Sequence, residues 1–142
     1  MNTTSFSKTL TANDIGKTGS HQAGLHIPKT NQELLDFLPA LDRTVLNPSI
    51  WITCADENGE IWQFRFVYYN NKFHSFNGSR NEFRLTHTTR YLKTNAASEG
   101  DTFIISKKVD VVTYRIKLIY HEPCTIQNRD EKVALTGWHR EY

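Results

Sequence analysis

The chain has 142 residues, of which 38% are hydrophobic and 12% aromatic, a composition that excludes a disordered protein. Its two cysteines exclude a disulfide framework or a cysteine-rich zinc site. No apolar run is long enough to cross a membrane or to form a secretory signal, and the formal net charge is only +2. We therefore expect one cytoplasmic domain over residues 1–142, with buried free thiols at Cys54 and Cys124 favoured over a bridge.

The amino-terminal third combines a polar loop, two strands and a short helix. The stretch "GKTGSHQ" is typical of a polar loop, and "AGLHIPK" alternates like a strand that stops at Pro28. "TNQELLDFL" predicts a helix with Thr30 as its N-cap, Glu33 completing a capping box, and Pro39 ending it. "SIWITCAD" predicts a strand, and Asn58-Gly59 after it is a strong hairpin signal.

The remainder is dominated by alternating segments. "IWQFRFVYY" predicts a strand whose aromatic stripe faces the core, a better explanation than a stacking platform for single-stranded nucleic acid. Asn70-Asn71 suggests a second tight turn before a strand in "KFHSF", and "THTTRYLKTNAA" is helix-like. "TFIISKK" and "VDVVTYRIKLIY" predict two more strands. About seven strands with two short helices indicate a mainly β fold, an antiparallel barrel or sandwich. The predicted inward sets are Trp62, Phe64, Phe66 and Tyr68, then Val112, Tyr114, Ile116, Leu118 and Tyr120.

Positive charge is concentrated in two segments. Residues 1–30 carry a net +2 and residues 72–93 a net +4, so the rest of the chain carries −4. Such segregation suits a polyanionic partner, although lysine and arginine also populate ordinary surfaces.

The second basic segment contains the stretch "FNGSRNEFRLT", residues 76–86, which is not a convincing strand by pattern. In extended form Arg80, Glu82 and Arg84 project to one side. Arginine can grip guanine O6 and N7 together, and a carboxylate can accept from cytosine N4 or orient an arginine. The row therefore suits the reading of G·C pairs. A cross-strand ion-pair network on a sheet surface accounts for the spacing equally well.

Two motifs together carry a family resemblance. "TANDIGKTGSHQAGLHIPK" followed by "GSRNEFRLT" resembles the amino-terminal effector domain of EcoRII-type restriction endonucleases. That domain belongs to the DNA-binding pseudobarrel superfamily shared with plant B-three domains. The resemblance spans residues 11 to about 120, and it is the joint occurrence of both motifs in this order that is specific.

The resemblance implies a seven-stranded open pseudobarrel with two short flanking helices and two arms that enter the major groove of duplex DNA. It places an amino-side arm at about residues 16–26 and a carboxy-side arm at about residues 77–86. His26 departs from the tyrosine of the family, and Gly78 and Phe83 stand where relatives can carry lysines. The implied DNA-binding residues are Lys17, Thr18, Ser20, His21, Gln22, His26, Lys29, Ser79, Arg80, Asn81, Glu82 and Arg84.

The function implied is recognition without catalysis and without a cofactor. Family members of this kind read short G·C-rich duplexes such as CCWGG, where W is A or T. The chain would then be the amino-terminal part of a type II restriction endonuclease, with a nuclease domain in the same longer chain. The resemblance leaves open the base sequence that this chain reads, its oligomeric state and the identity of that nuclease domain.

Two alternatives remain from the residues themselves. The first is a metal-dependent nuclease site, built from Asp110 and the run Asp130 to Lys132. Such short acidic patterns are frequent by chance. Asp101 lies upstream, and His121 and Cys124 have ligand spacing without a second pair. The other alternative is a β-barrel that binds a protein or a small molecule.

Overall fold

The computed structural model describes residues 2–17, 24–121 and 137–142. Within them the chain forms mostly strands, with two short helices and one turn of 3-10 helix at Asn71–Phe73. The helices are α1 (Gln32–Phe37) and α2 (Thr89–Thr94). The strands are β1 (Thr3–Thr9), β2 (Leu25–Ile27), β3 (Ser49–Ala55), β4 (Ile61–Tyr69), β5 (Glu82–Thr86), β6 (Thr102–Lys108), β7 (Tyr114–Ile119) and β8 (Trp138–Glu141).

All eight described strands join one curled open sheet in the order β2-β5-β4-β3-β7-β6-β1-β8. Neighbours are antiparallel except β3 and β7, which run parallel and pair over only two positions. The edge strands β2 and β8 meet, because the indole Nε1 of Trp138 donates to the backbone oxygen of His26 at 2.9 Å. The predicted mainly β open barrel is therefore confirmed, with eight strands instead of about seven.

The core lies inside the curl. On β4 the predicted stripe is confirmed, since Phe64, Phe66 and Tyr68 are buried and Trp62 packs partly against them. On β7 Tyr114, Ile116 and Leu118 are buried, but Val112 and Tyr120 are exposed because they lie outside the strand. The other buried hydrophobic residues come from every strand and both helices, for example Phe6, Ile27, Leu34, Ile52, Leu85, Tyr91, Phe103 and Trp138.

The hairpin between β3 and β4 forms where Asn58-Gly59 predicted it. Gly59 has φ +80°, a conformation that favours glycine. The Asp56 carboxylate accepts from the backbone N–H groups of Asn58 at 2.9 Å and Glu60 at 3.0 Å. Asp56 also accepts from the indole of Trp62, so the turn is fixed to the strand that follows.

Three local predictions were wrong. The N-cap of α1 is Asn31, whose side chain accepts from the Leu34 N–H at 3.1 Å, so the helix begins one residue later than a Thr30 cap implies. "KFHSF" is not a strand, because the backbone oxygen of Asn71 accepts from the N–H groups of His74 and Ser75 and closes a 3-10 turn. Residues 76–86 were not a convincing strand by pattern, yet Glu82–Thr86 forms the regular strand β5. The pattern also missed β1 and β8.

Candidate nucleic-acid interface

One face of the sheet carries polar and charged side chains across β2, β5 and β4. Phe83 and Leu85 point into the core, so Glu82 and Arg84, the residues alternating with them on β5, lie on the opposite face. His26 on β2 pairs with Arg84. We call this surface the outer face, defined by His26, Glu82, Arg84, and Arg65 and Tyr69 on β4.

The carboxy-side arm is anchored by Asn71. Its side-chain oxygen accepts from the Arg80 N–H at 2.7 Å, and its backbone oxygen accepts from His74 and Ser75 at 3.1 and 2.9 Å. A Cβ on Gly78 would stand 2.0 Å from the Asn71 backbone oxygen. A side chain at this position, lysine included, is therefore incompatible with this loop conformation.

The guanidinium of Arg80 is held in one orientation by two neighbours, Tyr69 and Glu82. Its guanidinium carbon lies 3.8 Å from the ring centroid of Tyr69, a cation–π stack. Its Nη2 and Nε donate to Glu82 Oε1 at 2.6 and 3.2 Å. The side chain is 38% exposed, so the guanidinium group, whose N–H donors form a planar fork, remains accessible while its plane is fixed. An arginine oriented in this way loses less conformational freedom when it binds two acceptors.

Glu82 is shared between two arginines. Its Oε1 also accepts from Arg84 Nε at 3.4 Å. Burial raises the pKa of this carboxyl, but the hydrogen bond from Arg80 and the charges of Arg84 and Arg80 outweigh burial and lower it. Glu82 is therefore ionised at neutral pH. Arg84 itself is buried, with 5% of its side chain exposed.

Alternate residues of the same segment face the other way. The Tyr68 hydroxyl donates to Asn81 Oδ1, and the rings of Tyr68 and Phe83 stack with centroids 4.2 Å apart. Phe83 is 3% exposed and thus belongs to the core rather than to a DNA-facing surface. Ser79 is exposed beside Arg80. DNA contact by Ser79 and Asn81 stays a prediction.

The amino-side arm is described only at its two ends. Thr18, Ser20, His21 and Gln22 lie outside the described residues. Before the arm, a buried pair between Lys8 and Asp14 fixes the turn that leads to Lys17, which is exposed. Since Lys8 and Asp14 neutralise each other, the net +2 of residues 1–30 comes from the exposed Lys17 and Lys29.

After the arm, the chain returns to β2 at Gly24. A Cβ on Gly24 would stand 2.2 Å from the Leu85 backbone oxygen, and its φ is +84°, so this end of the arm lies directly on β5. His26 and Lys29 follow and are both exposed. Burial and then the charge of Arg84 lower the pKa of His26, so its imidazole is neutral at pH 7 and can both donate and accept.

Of the residues considered for nuclease chemistry, only Asp101, Asp110 and His121 lie among the described residues, and they form no metal-binding group. Asp101 accepts from the backbone of Ser98 at 2.7 Å and from the backbone and ring of His121 at 2.9 and 2.6 Å, a structural role. Asp110 is exposed, while Cys124 and Asp130 to Lys132 lie outside the described residues. Within residues 2–17, 24–121 and 137–142 no three metal-binding side chains form a group. In the same ranges no helix is long and apolar enough to cross a membrane.

Sequence reasoning missed the residues that support the site. Tyr69 was assigned only to a strand, and Asn71 only to a turn. Trp51, 52% exposed, packs edge-on against His87 with ring centroids 4.7 Å apart, next to Arg65 on the outer face. A signal for Tyr69 was available, since it alternates with the inward stripe of β4.

Two solved structures are similar in fold. The structure titled "Arabidopsis FUS3-DNA complex" matches with a TM-score of 0.61 at 20% identity, covering 82% of this chain and 96% of that one. A hypothetical Arabidopsis thaliana protein matches with a TM-score of 0.54 at 15% identity, covering 87% and 96%. At these identities the likeness establishes the open pseudobarrel and no more.

Two sequence comparisons identify relatives of this chain. The type II restriction enzyme EcoRII of Escherichia coli is 39% identical over 89 residues, which are 57% of this chain and 20% of that enzyme. The chain thus matches only a fifth of its curated relative. The family described as "Restriction endonuclease EcoRII, N-terminal" matches residues 1–101, which include β1 to β5 and both proposed arms. This chain therefore belongs to the family of EcoRII N-terminal restriction endonuclease domains.

Proposed function

We propose that this chain binds duplex DNA sequence-specifically through the major groove, as the target-site recognition domain of a type II restriction endonuclease. The site is short and rich in G·C pairs, with CCWGG as the best candidate. The domain itself carries no catalytic residue, and a nuclease domain in the same longer chain, working in the cytoplasm, cuts the DNA. Support comes from membership of the EcoRII N-terminal family and from the outer face.

One observation carries the proposal, the preorganised fork of Arg80. The guanidinium is stacked on Tyr69, bonded to Glu82 and still 38% exposed. A fixed fork matches guanine O6 and N7, which lie side by side in the major groove. The acidic partner opposes bulk attraction to phosphate, so a surface serving only non-specific binding gains nothing from it. The arrangement therefore supports base reading over simple charge neutralisation.

The test replaces Arg80 in two ways and measures binding to a CCWGG duplex and to an unrelated duplex. Arg80→Ala should cost about 1–3 kcal/mol on the target and much less on the unrelated duplex. Arg80→Lys keeps the charge and loses the fork, so it should fail on the target like Arg80→Ala while binding unrelated DNA like the wild type.

The wild-type domain should need no divalent metal, and its affinity should fall as salt rises, with a log–log slope near −0.9 per phosphate neutralised. Affinity that does not change with salt, or equal losses on both duplexes for Arg80→Ala, would contradict sequence-specific recognition by this face.

A further inference from the structure

Arg84 is much more deeply buried than Arg80. Only 5% of its side chain is exposed, compared with 38% for Arg80. It lies between His26 on β2 and Val67 on β4, and Val67 is fully buried. A guanidinium does not lose its proton in proteins, so a buried one needs partners that compensate its charge.

Two contacts of Arg84 reach residues of two separate arms. Its Nε lies 3.4 Å from Glu82 Oε1, in the carboxy-side arm. Its Nη1 donates to the backbone oxygen of Gly24 at 3.4 Å, sixty residues away in sequence and at the end of the amino-side arm. Because Glu82 also holds Arg80, a continuous chain of contacts leads from the reading fork to Gly24.

Gly24 is fixed from a second direction. Its missing Cβ lets its backbone lie on β5, since an added Cβ would stand 2.2 Å from the Leu85 oxygen and 2.8 Å from the Thr86 Cα. The carbonyl that Arg84 binds therefore has little freedom to move away, and the two contacts reinforce each other.

We propose that Arg84 is a positioning residue that couples the two arms, setting the amino-side arm against the carboxy-side arm through Gly24 and Glu82. This inference rests on the proposed function, because it assumes that both arms read DNA. Its consequence differs from that of a base reader. Loss of a base reader relaxes one base pair, whereas loss of Arg84 relaxes the base pairs read by both arms.

The first measurement needs no DNA. In Arg84→Met, which keeps most of the side-chain volume, and in Arg84→Lys, the amides of Leu25 and Ile27 on β2 should exchange hydrogen about tenfold faster, because one bond to a charged group is lost. Glu82→Gln should act in the same direction, since it weakens the other end of the link. Arg65→Met is the matched control, from the same face and the next strand, and should leave these amides unchanged.

The second measurement compares base preferences selected from random duplexes. His26→Ala and Arg80→Ala first define the base pairs that depend on each arm. Arg84→Lys should relax both sets while keeping non-specific affinity, because it retains the charge but a single ammonium cannot replace the fork.

Faster exchange together with relaxation of both sets supports the coupling. Relaxation of one base pair only, or unchanged exchange at Leu25 and Ile27, overturns it. If the wild type fails to prefer any duplex, the proposed function fails instead, and the exchange experiment still decides whether Arg84 joins the two arms.

Discussion

Glu82 distinguishes direct reading of bases from bulk electrostatic attraction. Glu82→Ala removes one negative charge from a surface proposed to face a polyanion. Attraction between charges alone predicts tighter binding to every duplex. If instead the carboxylate fixes Arg80 or accepts from cytosine N4, binding to the target should weaken while binding to unrelated DNA is equal or tighter.

The magnitude follows from the contacts. Oε1 accepts from Arg80 Nη2 at 2.6 Å and Nε at 3.2 Å, so without it the Tyr69 ring is the one contact left to the guanidinium among the described residues. We expect a loss of about 1–3 kcal/mol on the target duplex, the worth of one good bidentate base contact. That corresponds to a dissociation constant roughly 5- to 150-fold larger.

The assay is a pair of fluorescence-anisotropy titrations at one salt concentration, with a CCWGG duplex and an unrelated duplex of equal length. Glu60→Ala is the matched control, since Glu60 is exposed in the β3–β4 turn and its loss changes the charge equally. It should alter both affinities slightly and alike. If Glu82→Ala binds both duplexes more tightly, the reasoning is refuted. Arg80 would then contact phosphate and would not read a base.

Three further predictions concern the amino-side arm. Lys17→Ala should weaken binding to all duplexes alike and lower the salt slope by about 1, as a phosphate contact does; a change in the selected sequence would contradict this assignment. Gly24→Ala should lower the free energy of unfolding in urea by about 1–3 kcal/mol, because its Cβ would meet Leu85 and its φ is positive; an unchanged midpoint would be inconsistent with that close approach. His26 has a lowered pKa, so the unfolded chain binds its proton more readily and stability falls as pH drops below about 6.5. His26→Gln should therefore lose less stability on acidification, which thermal melts at several pH values would show, and equal losses would count against the shift.

The fold was predictable where the signal is local. The alternation of Trp62 to Tyr68 and the Asn58-Gly59 turn depend on neighbours in sequence, and both appear as expected. β1 was missed because its pattern includes Lys8, which is buried only through its pairing with Asp14. Such a partner cannot be assigned before the chain is folded.

The site was predictable only in part for the same reason. The alternation in sequence placed Arg80 and Glu82 together, and they do form an ion pair. The stacking of Arg80 on Tyr69 and the burial of Arg84 depend on the register of β4 against β5 and of β5 against β2. That register is set by the buried faces of the strands, which a single sequence does not specify.

The contact between Trp138 and His26 bears on self-association. An open sheet has two edges, and a free edge can template pairing with another copy of the chain. Here the edge strands β2 and β8 are the shortest of the described strands, with three and four residues, and the indole of Trp138 joins one to the other. Loss of this side chain would release the His26 carbonyl and break this link between the two edges, so we expect such a variant to aggregate more readily.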